Sequence, residues 1–106
     1  MQKDVIFYEE GNSLTAFLQT DVDHHTARPM REAIDAKLFG NKPRILIIDL
    51  SKVEFMDSSG LGLILGRAEK AAALNSEVQI KGASQTIMKL IRLSGLERIH
   101  NLSVLR

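Results

Sequence analysis

In the run Arg44–Leu50, "RILIIDL", every position from Ile45 to Ile48 is apolar. Both alternating faces of an extended chain would then be hydrophobic, as in a central strand of a parallel sheet covered on both sides. Val5–Tyr8 and Leu14–Leu18 are runs of β-formers separated by Gly11, Asn12 and Ser13, the pattern of a hairpin. Glu77–Gly82 reads as a further strand and Ile99–Leu105 as a last one.

Helical periods lie between these runs. In "TARPMREAIDAKLFG", Ala27, Met30, Ile34 and Leu38 share a face, with Thr26 as N-cap, Gly40 as stop and Pro43 beyond. Pro29 then falls in the first turn, where its missing N–H has no intrahelical partner to lose. In "SSGLGLILGRAEKAAAL" the face is Leu61, Leu65, Ala68 and Ala72. In "SQTIMKLIRLSG" it is Ile87, Leu90 and Ile91, between Ser84 as cap and Gly95 as terminator. The order β-β-α-β-α-β-α-β predicts an α/β fold with a mainly parallel mixed sheet of four to five strands and flanking helices, the N-terminal strand pairing antiparallel.

A chain of 106 residues supports one core, so residues 1–106 read as a single domain. A net charge of +1 makes no electrostatic case for nucleic acid or an anionic membrane surface. No apolar run reaches the ~20 residues of a membrane span, and "MQKDVIFYEE" has no signal-peptide core. The absence of cysteine excludes disulfides and thiolate metal sites, and it fits a reducing cytosol. The reading is a cytoplasmic domain.

Function is sought in "FMDSSGLGLILGR" (Phe55–Arg67), where the chain passes from strand to helix. Asp57 or Ser58 can cap the helix, but capping leaves the glycines unexplained, and each costs about 1 kcal/mol against alanine inside a helix. Ser59, Gly62 and Gly66 fall at helical spacing as a stripe with little side chain. Close packing on the sheet and a bare shelf for another protein both account for it.

Three chemistries compete for the serines. A phosphate loop lacks the required lysine and glycine spacing. A nucleophilic serine lacks the G-x-S-x-G elbow, and His24, His25 and His100 follow no triad order. A regulatory phosphoserine suits the position: a helix N-terminus accepts the added charge of about −1.5 to −2, so the fold survives while the surface turns strongly negative beside Asp57 and Asp23. Adjacent His24 and His25 without spaced partners make a poor metal site, and they are read as shaping the loop before the helix.

"DHHTA" (Asp23–Ala27), "FMDSSGLGLILGR" and "KLIRLSGLERI" (Lys89–Ile99), in this order, resemble the anti-sigma factor antagonists of the STAS domain class, most of all the sporulation branch that frees a forespore sigma factor. The resemblance spans nearly the whole chain. It implies a non-enzymatic protein, without cofactor or metal, whose unmodified form binds an anti-sigma factor with serine kinase activity and so releases the sigma factor. The kinase phosphorylates Ser58, the complex parts, and a serine phosphatase restores the protein. By the same resemblance Asp23 and Asp57 flank the docking surface, Ser59, Gly60 and Gly62 form its shelf, and Arg67 is a rim contact or a plain exposed arginine. The chain departs from the family at Thr20, where relatives usually carry glycine, and at Arg106, where they continue into a further helix. A STAS-like module sensing a small ligand or nucleotide is the alternative, a serine hydrolase a more distant one, and a monomer is expected.

Overall fold

A computed structural model describes residues 4–105; the ends of the predicted domain, Arg106 among them, lie outside the described residues. The hairpin forms as β1 (Val5–Glu10) and β2 (Ser13–Leu18), and α1 (His24–Asn41) leads to β3 (Ile45–Asp49). Then come α2 (Ser58–Ala73), β4 (Glu77–Lys81), α3 (Gln85–Ser94), a short 3-10 turn (Leu96–Arg98) and β5 (Leu102–Val104). The strands lie in the order β1-β2-β3-β4-β5, with β1 antiparallel to β2 and all other pairs parallel. This is the predicted architecture. The last strand is shorter than Ile99–Leu105 because residues 99–101 form a turn, closed by Leu102 N donating to Ile99 O at 3.1 Å, and pairing begins only at Leu102.

Strands in sequence order joined by right-handed crossovers place every helix on one face of the sheet. Toward that face point Leu14, Ala16, Leu18, Leu46, Ile48, Val78 and Ile80, all buried, against Met30, Ile34 and Leu38 of α1, Ile64 and Ala68 of α2, and Ile87 and Ile91 of α3. Full burial of a Leu or Ile side chain contributes about 1.5–3 kcal/mol, so this layer is the main source of stability. The expectation of two-sided cover is corrected here. Ile45 and Ile47 are only half-buried, on an outer face shared with Phe17 and the exposed Ile6 and Tyr8.

Three helix details also differ from the sequence reading. The N-cap of α1 is Asp23, not Thr26: its carboxylate accepts from the His25 and Thr26 backbone N–H groups at 2.8 and 3.0 Å, and Thr26 Oγ1 accepts from Asp23 N at 3.0 Å, a reciprocal capping box. The helix starts at His24, so Pro29 lies beyond the first turn and has no N–H for the carbonyl four residues back; it runs past Gly40 to Asn41 and ends at left-handed Lys42. In α2 the buried face is Gly60, Leu63, Ile64, Arg67, Ala68 and Ala71, while Leu65 is 40% exposed. Ser84 and Gly95 cap α3 as predicted.

Candidate functional site

Parallel strands deliver their following helices to one edge of the sheet, so α1, α2 and α3 all begin there. A β-bridge between Val22 and Met56 carries the β2–β3 pairing beyond the strand ends: Val22 N donates to Phe55 O at 3.0 Å, and Asp57 N donates to Val22 O at 3.1 Å. The residues that follow the bridge are the two N-caps, Asp23 and Asp57, and the helices therefore start side by side. Asp21 pins the connection from below, since its Oδ1 accepts from Glu54 N and Phe55 N at 2.9 and 3.1 Å. No part of the sequence reading anticipated Asp21.

At the start of α2, Asp57 Oδ1 accepts from Ser59 N at 2.8 Å and its carbonyl from Gly60 N at 2.9 Å. Ser58 is the first helical residue; it is exposed, and its hydroxyl makes no hydrogen bond among the described residues. Ser59 is half-buried and lines a shallow groove between α1 and α2 with His24, Arg28, Arg31 and Gly62. Neither serine hydroxyl is hydrogen-bonded to a histidine among the described residues. The His24 and His25 rings lie against each other, centroids 4.0 Å apart, and belong to no cluster of three metal-binding side chains among those residues.

Asp23 has its carboxyl pKa held below the ordinary value, first by the Thr26 backbone N–H, then by that of His25. A depressed native value means stability that is full above the ordinary carboxylate pKa and lost as pH falls through the native one. Asp23→Ala is therefore expected to lower the urea midpoint at neutral pH, with the gap from wild type closing in strong acid. An equal gap at both pH values would mean that the charged cap does not stabilise α1.

The glycines divide. A Cβ on Gly60 would lie 2.2 Å from Met56 Cγ, so this buried glycine serves internal packing and does not belong to the shelf expected of it. Over Gly62 and Gly66 there is open space. Gly60→Ala is expected to lose about 1–3 kcal/mol through overpacking against Met56, offset in part by alanine's helix propensity of up to about 1 kcal/mol, for a net destabilisation. Gly62→Ala should stabilise by up to about 1 kcal/mol through helix propensity. Urea unfolding of the two variants checks the opposite signs, and shifts of like sign would refute the division.

Arg67 is neither a rim contact nor an exposed arginine. It is 2% exposed and faces α1, its Nε 2.9 Å from Asp35 Oδ1. The atoms approach off the N–H axis, and Nη1 has no hydrogen-bond partner among the described residues. Burial lowers the guanidinium pKa against the opposing pull of Asp35. The available signal was its spacing: Arg67 follows Leu63 and Ile64 by four and three residues and precedes Ala71 by four, on the stripe that packs inward.

Residues 5–104 match the STAS domain model. The chain belongs to the STAS domain family. It is 36% identical to an anti-sigma F factor antagonist of Lysinibacillus sphaericus over 72% of this chain and 65% of that relative, so the match spans just under two thirds of the relative's length. To the anti-sigma-B factor antagonist of Listeria monocytogenes it is 32% identical, over 85% of this chain and 78% of the other. The structure of the Bacillus cell fate determinant SpoIIAA in the phosphorylated form superposes with a TM-score of 0.72 at 25% identity, covering 96% of this chain and 91% of that one. No helix among the described residues is long and apolar enough to cross a membrane.

Proposed function

We propose that this protein is an anti-sigma factor antagonist switched by phosphorylation of Ser58. Unmodified, it binds an anti-sigma factor that is also a serine kinase, and the sigma factor is released. The kinase transfers the γ-phosphate of its own ATP to the Ser58 hydroxyl, the complex separates, and a serine phosphatase reverses the modification. The chain is substrate and ligand rather than catalyst, and acts as a single monomeric domain in the cytoplasm.

The observation that carries this reading is the Ser58 hydroxyl, exposed and without a hydrogen bond among the described residues, at the first residue of a sixteen-residue helix. A phosphate there gains the favourable end of the helix dipole, so modification leaves the fold standing. Asp23 and Asp57 flank the serine, and the exposed Gly62 and the half-buried Ser59 and Gly66 leave a surface low enough for a partner backbone to approach. The names of the relatives point the same way.

The test is incubation with the anti-sigma kinase of the same cell and ATP, followed by intact-mass and fragment mass spectrometry. One phosphate on Ser58, absent from Ser58→Ala, is expected. An unmodified chain that instead holds a nucleotide tightly by itself would replace the switch with the sensor reading. Covalent labelling of Ser58 or Ser59 by a fluorophosphonate would favour a hydrolase.

A further inference from the structure

α3 carries apolar surface that the fold leaves open. Ile87 and Ile91 are buried, yet Leu93 on the same helix is 76% exposed, and Phe55, three residues before Ser58, is 55% exposed. Between them lies a groove of roughly 260 Å3 lined by Phe55, Met56, Ile87, Leu90 and Leu93. Lys89 stands on its rim and Arg92 lies on the neighbouring side of Leu93; neither forms an ion pair among the described residues. An aromatic and a leucine left exposed beside a groove form a contiguous apolar patch of the kind that marks a protein interaction site.

We infer that the anti-sigma factor, besides covering the Ser58 turn, lays an acidic amphipathic segment along this groove, its apolar side chains between Phe55 and Leu93 and its carboxylates toward Lys89 and Arg92. The inference rests on the anti-sigma reading above. Two observations select the occupant. The groove wall and Ser58 belong to one connection, so one partner covers both without a break. The cations on α3 lack acidic partners among the described residues, and complementarity calls for carboxylates opposite them. Glu54, at the loop side of the groove, orients the segment with its acidic edge along α3. The groove then supplies affinity, and Ser58 decides whether it can be used.

Titration calorimetry with the anti-sigma factor of the same cell tests this. Leu93→Ser is expected to bind at least tenfold more weakly, as is the double variant Lys89→Glu/Arg92→Glu, whose affinity should also lose its dependence on salt. Ile6→Glu, on the opposite face of the sheet, should bind like wild type, and thermal unfolding by circular dichroism confirms that each variant is folded. Wild-type binding by Leu93→Ser while Ser58→Asp still releases the partner would sink the groove and leave the switch intact. Tighter binding by the charge-reversed variant would overturn the acidic occupant. If neither Leu93→Ser nor Ser58→Asp alters binding, both readings fall.

Discussion

Arg67→Met is expected to destabilise the protein by about 3 kcal/mol, the low end of the range for breaking a buried ion pair from one side. The low end applies because the Asp35 side chain keeps 20% exposure and so retains some hydration once its partner is gone. Asp35→Leu should be at least as damaging, since it strands a guanidinium that is 2% exposed and already lacks a partner for Nη1 among the described residues. The double variant Arg67→Met/Asp35→Leu should recover most of the loss, because an apolar pair of similar volume needs no compensation for desolvation. Urea unfolding of the four proteins gives the coupling directly. A loss below about 1 kcal/mol in Arg67→Met would mean that the pair contributes no more than a surface one. The pair joins the middles of α1 and α2, the same two helices whose first turns present Asp23 and Ser58. Loosening it should therefore be felt at the switch as well as in the core.

What could be read from the sequence was whatever depends on neighbours along the chain. The hairpin followed from Gly11–Ser13, the ends of α3 from Ser84 and Gly95, and the exposed serine from the strand-to-helix step at Asp57. What could not be read depends on which elements face each other. Ile45 and Ile47 look like buried strand residues whether or not a second layer exists, and only the strand order reveals that no helix among the described residues covers them. Gly60 and Gly62 are alike in the sequence, yet one meets Met56 and the other meets solvent. The sequence does not separate Asp23 from Thr26 as the start of α1, because both are good caps and act as the two halves of one box. Family resemblance makes Arg67 a rim contact, and an exposed helix arginine is the plain alternative; both put it on the surface. Its apolar neighbours at helical spacing were the better guide, and the acid that makes its burial possible lies 32 residues away on another helix (67 − 35).

Ser58→Asp is expected to move folding and binding in opposite directions. The Ser58 hydroxyl makes no hydrogen bond among the described residues, so none of these is lost when it is replaced, and a carboxylate in the first turn of α2 gains about 0.3–1 kcal/mol from the helix dipole. Part of that gain is cancelled by Asp57, whose carboxylate already occupies the Ser59 N–H. Stability should therefore hold or rise slightly, with native circular dichroism. Binding to the anti-sigma factor should fall at least tenfold, about 1.4 kcal/mol. The new charge would be buried against the partner without a counter-ion, beside one carboxylate already engaged as a cap and another at Asp23. Desolvating an unpaired carboxylate costs several kcal/mol, so tenfold is a floor, and phosphoserine with nearly twice the charge should weaken binding further. Ser58→Ala should bind like wild type and resist release by kinase and ATP. Equal affinity for Ser58→Asp and wild type would rule out charge at this residue as the cause of release. A loss of binding accompanied by a loss of fold would instead place the switch in the integrity of α2.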